Sequence, residues 1–119
     1  MNRYESKEDY LETILILSGE LEKVRAIDIA NSLSYSKPSV SIALKKLKDL
    51  SLILIDDKGA ITLTEEGNKI ANKTYQKHET IKNFLLSIGV SKKQAAIDAC
   101  KIEHDLSEES FNAIKKLNI

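Results

Sequence analysis

The chain has 119 residues, 18 basic against 18 acidic, with 42% apolar and 30% charged side chains. This is enough for one domain, or for one small domain plus an appended dimerisation element, and it excludes disordered, fibrous and low-complexity classes. No apolar run approaches the roughly 18 residues of a membrane span, so no membrane partner is expected. The start (MNRYESKEDY) has no signal-peptide apolar region and Cys100 stands alone, so a reducing, cytoplasmic location is expected.

In chain order, the first predicted helix covers 5–18, ended by Gly19. Tyr10, Leu11, Ile14, Leu15 and Leu17 form its apolar stripe, with Asp9 and Glu12 together on the opposite face. The plain reading of that pair is two solvated carboxylates. A short helix follows from Arg25 to Leu33, with Ile27, Ala30 and Leu33 inward. Ser36 is the expected N-cap of the next helix, Pro38 falls in its first turn, and Val40, Leu44 and Leu47 recur at helical spacing up to Leu50. Two short helices joined by a polar turn make a helix-turn-helix candidate.

Ile53, Ile55, Ile61 and Leu63 flank a turn at Asp56–Gly59 and predict a β-hairpin, the wing of a winged helix-turn-helix. A long helix then runs from Thr64 to Ser87, carrying Ile70, Tyr75, Ile81, Phe84, Leu85 and Ile88, with Gly89 as its stop. Ser91 and Gln94 predict a capping box for a helix with Ala95, Ala99, Ile102 and Leu106 inward. Ser107, with Glu108 and Glu109, opens a last helix with Phe111, Ile114 and Leu117 inward.

Zero net charge argues at first against nucleic acid, but distribution matters more than the sum. Residues 36–48 hold four lysines and no acid, whereas residues 1–20 hold five acids against two bases. Set in a major groove, that helix presents Lys37, Ser39, Ser41 and Ile42, with Lys45 near the backbone. Lys and Ser can bond phosphates or base edges, and Ile42 can pack on a thymine methyl. Arg25, Ser36, Pro38 and Lys46 complete the candidate DNA-binding set. The plain alternative is a solvated lysine face.

A second constellation is metal-like. Cys100, Glu103 and His104 stand at i, i+3 and i+4 on one helix surface. His78 lies mid-helix beside an apolar face, where a lone histidine is commonly a satisfied core residue. If the first, fourth and fifth helices pack together, these groups and the Asp9–Glu12 pair offer two imidazoles, one thiol and three carboxylates. That mixture suits a divalent transition metal better than Ca²⁺ or Mg²⁺.

The segments EDYLETI, IANSLSYSKPSVS, LTEEGNKIA, KHETIKNFL and ACKIEHDLS occur in the order and spacing of the DtxR/MntR family of metal-activated transcriptional repressors. The chain resembles that family over nearly its whole length. The resemblance implies a mainly α fold: an N-terminal winged helix-turn-helix with a small β-hairpin wing, then a helical dimerisation domain. It implies a DNA-binding domain over 1–70 and a metal-binding and dimerisation domain over 71–119. By position it implies Asp9, Glu12, His78, Cys100, Glu103 and His104 as ligands.

Asp9 and Glu12 look like the manganese-responsive branch, and Cys100 like the iron-responsive one. Ala96 and Lys82 stand where the latter's ancillary site usually has His and Glu, and with the chain stopping at Ile119 no SH3-like domain is expected. The implied protein is a homodimeric repressor, bound to a palindromic double-stranded operator when loaded with Fe²⁺ or Mn²⁺, with Zn²⁺ or Co²⁺ able to substitute in vitro. In this reading the metal holds two DNA-reading helices at the separation of their half-sites. The alternatives are a metal-independent winged-helix regulator, a protein-binding winged helix, and a metalloenzyme. Against the last, the chain offers no Gly-rich phosphate loop and no nucleophile–base pair.

Overall fold

The structure, a computed structural model, describes residues 7–117. In chain order its elements are α1 (Lys7–Glu20), α2 (Ala26–Leu33), α3 (Lys37–Asp49), β1 (Ile53–Ile55), β2 (Ile61–Leu63), α4 (Glu65–Ser87), α5 (Lys92–Asp105) and α6 (Glu108–Lys115). They form two compact units, one ending at Asn72 and the other beginning at Lys73.

The first unit is a winged helix-turn-helix. Its core gathers Tyr10, Leu11 and Ile14 of α1, Ile29 and Ala30 of α2, Val40, Ala43, Leu44 and Leu47 of α3, and Ile53 and Ile61 of the hairpin. Branched and long apolar side chains at helical spacing drive three short helices onto one hairpin, because none can bury its stripe alone. The turn between α2 and α3 is fixed locally. Ser34 takes a left-handed conformation (φ 58°), and the Tyr35 amide donates to the Ala30 carbonyl. The Ser36 hydroxyl accepts from the Ser39 amide at 3.2 Å, with Pro38 in the first turn of α3.

β1 and β2 pair antiparallel, Ile53 opposite Leu63 and Ile55 opposite Ile61. Val24 adds an isolated bridge to Ile61. The turn is built on Asp56, whose carboxylate accepts from the Lys58 and Ala60 amides at 2.9 and 2.8 Å, while Gly59 supplies φ +82°. Leaving the wing, Thr64 donates its hydroxyl to the Ser51 carbonyl and caps α4 by accepting from the Gly67 amide. A Cβ on Gly67 would collide with the Leu52 carbonyl, so this turn of α4 lies directly against the backbone entering β1.

In the second unit Ile81, Ala95, Ala99 and Phe111 are buried. Lys73 and Lys77 of α4 reach Glu108 of α6 at 3.5 and 3.6 Å, and Lys77 also lies 5.7 Å over the Phe111 ring.

Several expectations need correction. Residues 5 and 6 of the first predicted helix lie outside the described residues. That helix runs through Gly19 to Glu20, since an exposed glycine costs a helix only about 1 kcal/mol. Ile27 is 44% exposed and Ile29, two residues on, is buried instead, so the inward face of α2 is rotated from the expected one. Tyr75, Ile88 and Leu117 are exposed, and Ile88 lies beyond the end of α4. At α5 the Ser91 hydroxyl accepts from the Gln94 amide, but the Gln94 side chain reaches forward to Asp98 at 2.9 Å rather than back to the cap. Only the backward half of such a box occurs, and at α2, where Asp28 accepts from the Arg25 amide at 2.9 Å.

Candidate metal centre and DNA-reading surface

Within the second unit, α4 and α5 meet through a histidine and a carboxylate. His78 Nδ1 is 3.1 Å from Glu103 Oε2, and His104 Nε2 is 3.5 Å from Glu103 Oε1. The Glu103 side chain is 1% exposed, against 20% for His78 and 8% for His104. A carboxylate is costly to bury unless it is paired or coordinates a cation, and here an imidazole stands at each oxygen. His78 is thus a satisfied histidine, its partner a buried carboxylate on the neighbouring helix.

The i, i+3, i+4 spacing on α5 brings Cys100, Glu103 and His104 together, each offering a donor atom within 4.8 Å of the others. Two donors bound to one ion at about 2.0–2.3 Å lie at most about 4.6 Å apart, so this trio needs little adjustment to hold one cation. Imidazole and thiol donors suit a transition metal, and the residues present fit such an ion.

Asp9 and Glu12 lie on α1 of the first unit and are buried, at 5% and 9% exposure. The solvated-carboxylate reading fails for both. Burial runs without a break from Asp9 to Ile14, so this stretch of α1 is enclosed all round rather than along one stripe. Lys82 donates to Glu79 at 3.3 Å, a half-buried pair on α4 that the sequence reading did not contain.

The other surface belongs to α3. Lys37, Pro38, Ser41, Ile42, Lys45 and Lys46 are exposed, as are Ser36 at its cap and Arg25 before α2. Ser39 is half-buried, its hydroxyl accepting from that of Ser36 at 3.0 Å. Ile42 stands out at 60% exposure, flanked by serines and lysines rather than by core. Arg25 Nε donates to the Lys58 carbonyl at 3.4 Å, tying the start of α2 to the wing.

Two domain profiles cover most of the chain. Residues 4–60 match the iron dependent repressor N-terminal DNA binding domain, and residues 64–118 match the iron dependent repressor metal binding and dimerisation domain. The transcriptional regulator MntR of Escherichia coli is 38% identical over 114 residues, covering 96% of this chain and 74% of that protein. The chain belongs to the iron-dependent repressor family, among the MntR-like transcriptional regulators.

Solved members of the family agree in fold. The manganese regulator SloR superposes with a TM-score of 0.85 at 33% identity, covering 95% of this chain and 53% of its own. ScaR with bound Zn²⁺ gives 0.78 at 31%, covering 95% and 53%. The chain thus spans about half the length of these solved regulators. Among its described residues no helix is long and apolar enough to cross a membrane. Sequence reasoning passed over Lys48, which lies three residues after Lys45 and seven after Ser41 on the same side of α3. That spacing is the signal by which it could have been found.

Proposed function

We propose that this chain is a metal-activated transcriptional repressor, a cytoplasmic homodimer that binds a palindromic operator when loaded with Mn²⁺ or Fe²⁺. The observation that carries the reading is the buried Glu103 carboxylate, flanked by His78 and His104 and beside Cys100, within a chain that also folds a winged helix-turn-helix. By family position, Asp9 and Glu12 join these four as ligands. A bound divalent cation would supply positive charge to the carboxylates and a fixed coordination geometry.

The chain's own groups do the rest. Glu103 orients the His78 imidazole through Nδ1, and Nε2 is the ring nitrogen that would be offered to a cation. Lys37, Ser39, Ser41, Ile42, Lys45 and Lys46 meet the major groove, with Arg25, Ser36 and Pro38 alongside. In a two-fold dimer the two α3 helices must match half-sites about 34 Å apart, so small changes in their separation alter affinity steeply. Mn²⁺ is favoured by the manganese regulators among the relatives, and Cys100 admits softer ions such as Fe²⁺, Zn²⁺ and Co²⁺.

The test is DNA binding to a duplex selected from a random pool, first in EDTA and then across a Mn²⁺ or Fe²⁺ titration. Affinity should rise at least tenfold with the cation. Equal affinity in both conditions would leave a metal-independent regulator.

A further inference from the structure

A groove of about 430 Å³ lies between α3 and the wing, lined by Ala26, Leu44, Ile55 and Ile61 with Ser41, Lys45, Lys48 and Gly59. Beside it is a second hollow of about 310 Å³, which shares Ala26 and Ser41 and adds Ile27, Val40 and Lys37. Lys37, Ser41, Lys45 and Lys48 recur at i, i+4, i+8 and i+11, so they form one stripe along α3 that follows both hollows. The floor is apolar and the charge on the rim is positive. Asp28, Asp49, Asp56 and Asp57 are nearby acids in sequence, yet none lines either hollow. The Asp56 carboxylate is turned into its own loop by two backbone amides.

We propose that this groove seats the sugar–phosphate backbone of one DNA strand, with Lys48 as an unassigned phosphate contact that works with Lys45. The proposal rests on the DNA-binding reading above and divides α3 between two tasks. The side bearing Ile42 faces bases, while the stripe ending in Lys48 holds the strand without reading it. Deoxyribose is the least polar part of a strand and suits the floor of Ala26, Ile55 and Ile61. The ammonium groups at the rim suit the phosphate.

Helical rise sets which lysines act together. Lys45 and Lys48 are about 4.5 Å apart along the axis and can share one phosphate, whereas Lys37 and Lys48 are about 16 Å apart and cannot. Losses from K45A and K48A should therefore combine to less than their sum, and those from K37A and K48A should add.

The experiment measures affinity of the Mn²⁺-loaded full chain for a selected duplex and an unrelated duplex across a salt series. The variants are K48A, K48R and the surface control K93A on α5. K48A should weaken both duplexes alike, about three- to tenfold, and flatten the log affinity against log salt slope by about 0.9 per half-site. K48R should hold the wild-type slope, and K93A should change neither quantity. An unchanged slope in K48A overturns the proposal, as does a loss confined to the selected duplex or a K48R that behaves like K48A. A wild-type protein that binds neither duplex refutes the DNA-binding reading itself, and this inference with it.

Discussion

Glu103 faces His78 with one oxygen and His104 with the other, while its side chain is almost wholly withdrawn from solvent. Cys100 stands one helical turn before it, the only thiol in the chain. Substituting Ser for Cys100 should weaken Fe²⁺- or Zn²⁺-activated DNA binding more than Mn²⁺-activated binding, because a hydroxyl is a poor replacement for thiolate towards softer ions. Parallel titrations with each cation would measure this, and equal losses would show that the thiol is not a ligand. The trio on α5 was legible because helical spacing alone puts Cys100, Glu103 and His104 on one surface. Asp9 and Glu12 were legible as neighbours but not as buried groups. Their burial depends on what packs round α1, which no local spacing encodes.

At the scale of elements, the hairpin was legible because branched apolar residues alternate on either side of a short polar turn. The chemistry of that turn was not. Hydrogen bonds from the Ala60 and Lys58 amides hold the Asp56 carboxyl below its ordinary value of 3.8. A carboxyl lowered in the folded state favours folding above its unfolded pKa and loses that contribution as pH falls through the folded value. The wing turn should therefore be intact at neutral pH and loosen only in acid. Amide shifts of Lys58 and Ala60 followed by NMR should titrate together with a midpoint below 3.8, and Asp56→Asn should abolish that titration. Helix ends were read less well than helix interiors. Gly19 and Gln94 each have a standard use at a terminus, yet the chain uses them otherwise: one continues α1 and the other bonds forward to Asp98.

For the molecule as a whole, a net charge of zero conceals a segregation of charge, with four lysines on α3 and no acid between 36 and 48. Cation and DNA, in the proposed function, are linked through one folded chain, and such coupling is reciprocal. If Mn²⁺ raises operator affinity by a given factor, saturating operator should raise Mn²⁺ affinity by the same factor. Calorimetry of Mn²⁺ binding with and without DNA would measure it, and unequal factors at equilibrium would rule out a two-ligand linkage. The order of elements was legible along the entire chain because each helix carries its own apolar period. The inward face of α2 was not, because Ile27 and Ile29 are equally apolar and only the neighbouring helices choose between them.

Gly67 has a consequence for how this chain can vary. Where the first turn of α4 rests on the Leu52 carbonyl there is no room for even a methyl group, and the hydroxyl of Thr64 bonds back to Ser51 at the same place. Drift in the wing can lengthen or recolour its tip, but the base of the hairpin is anchored where the genetic alphabet has shrunk to one letter.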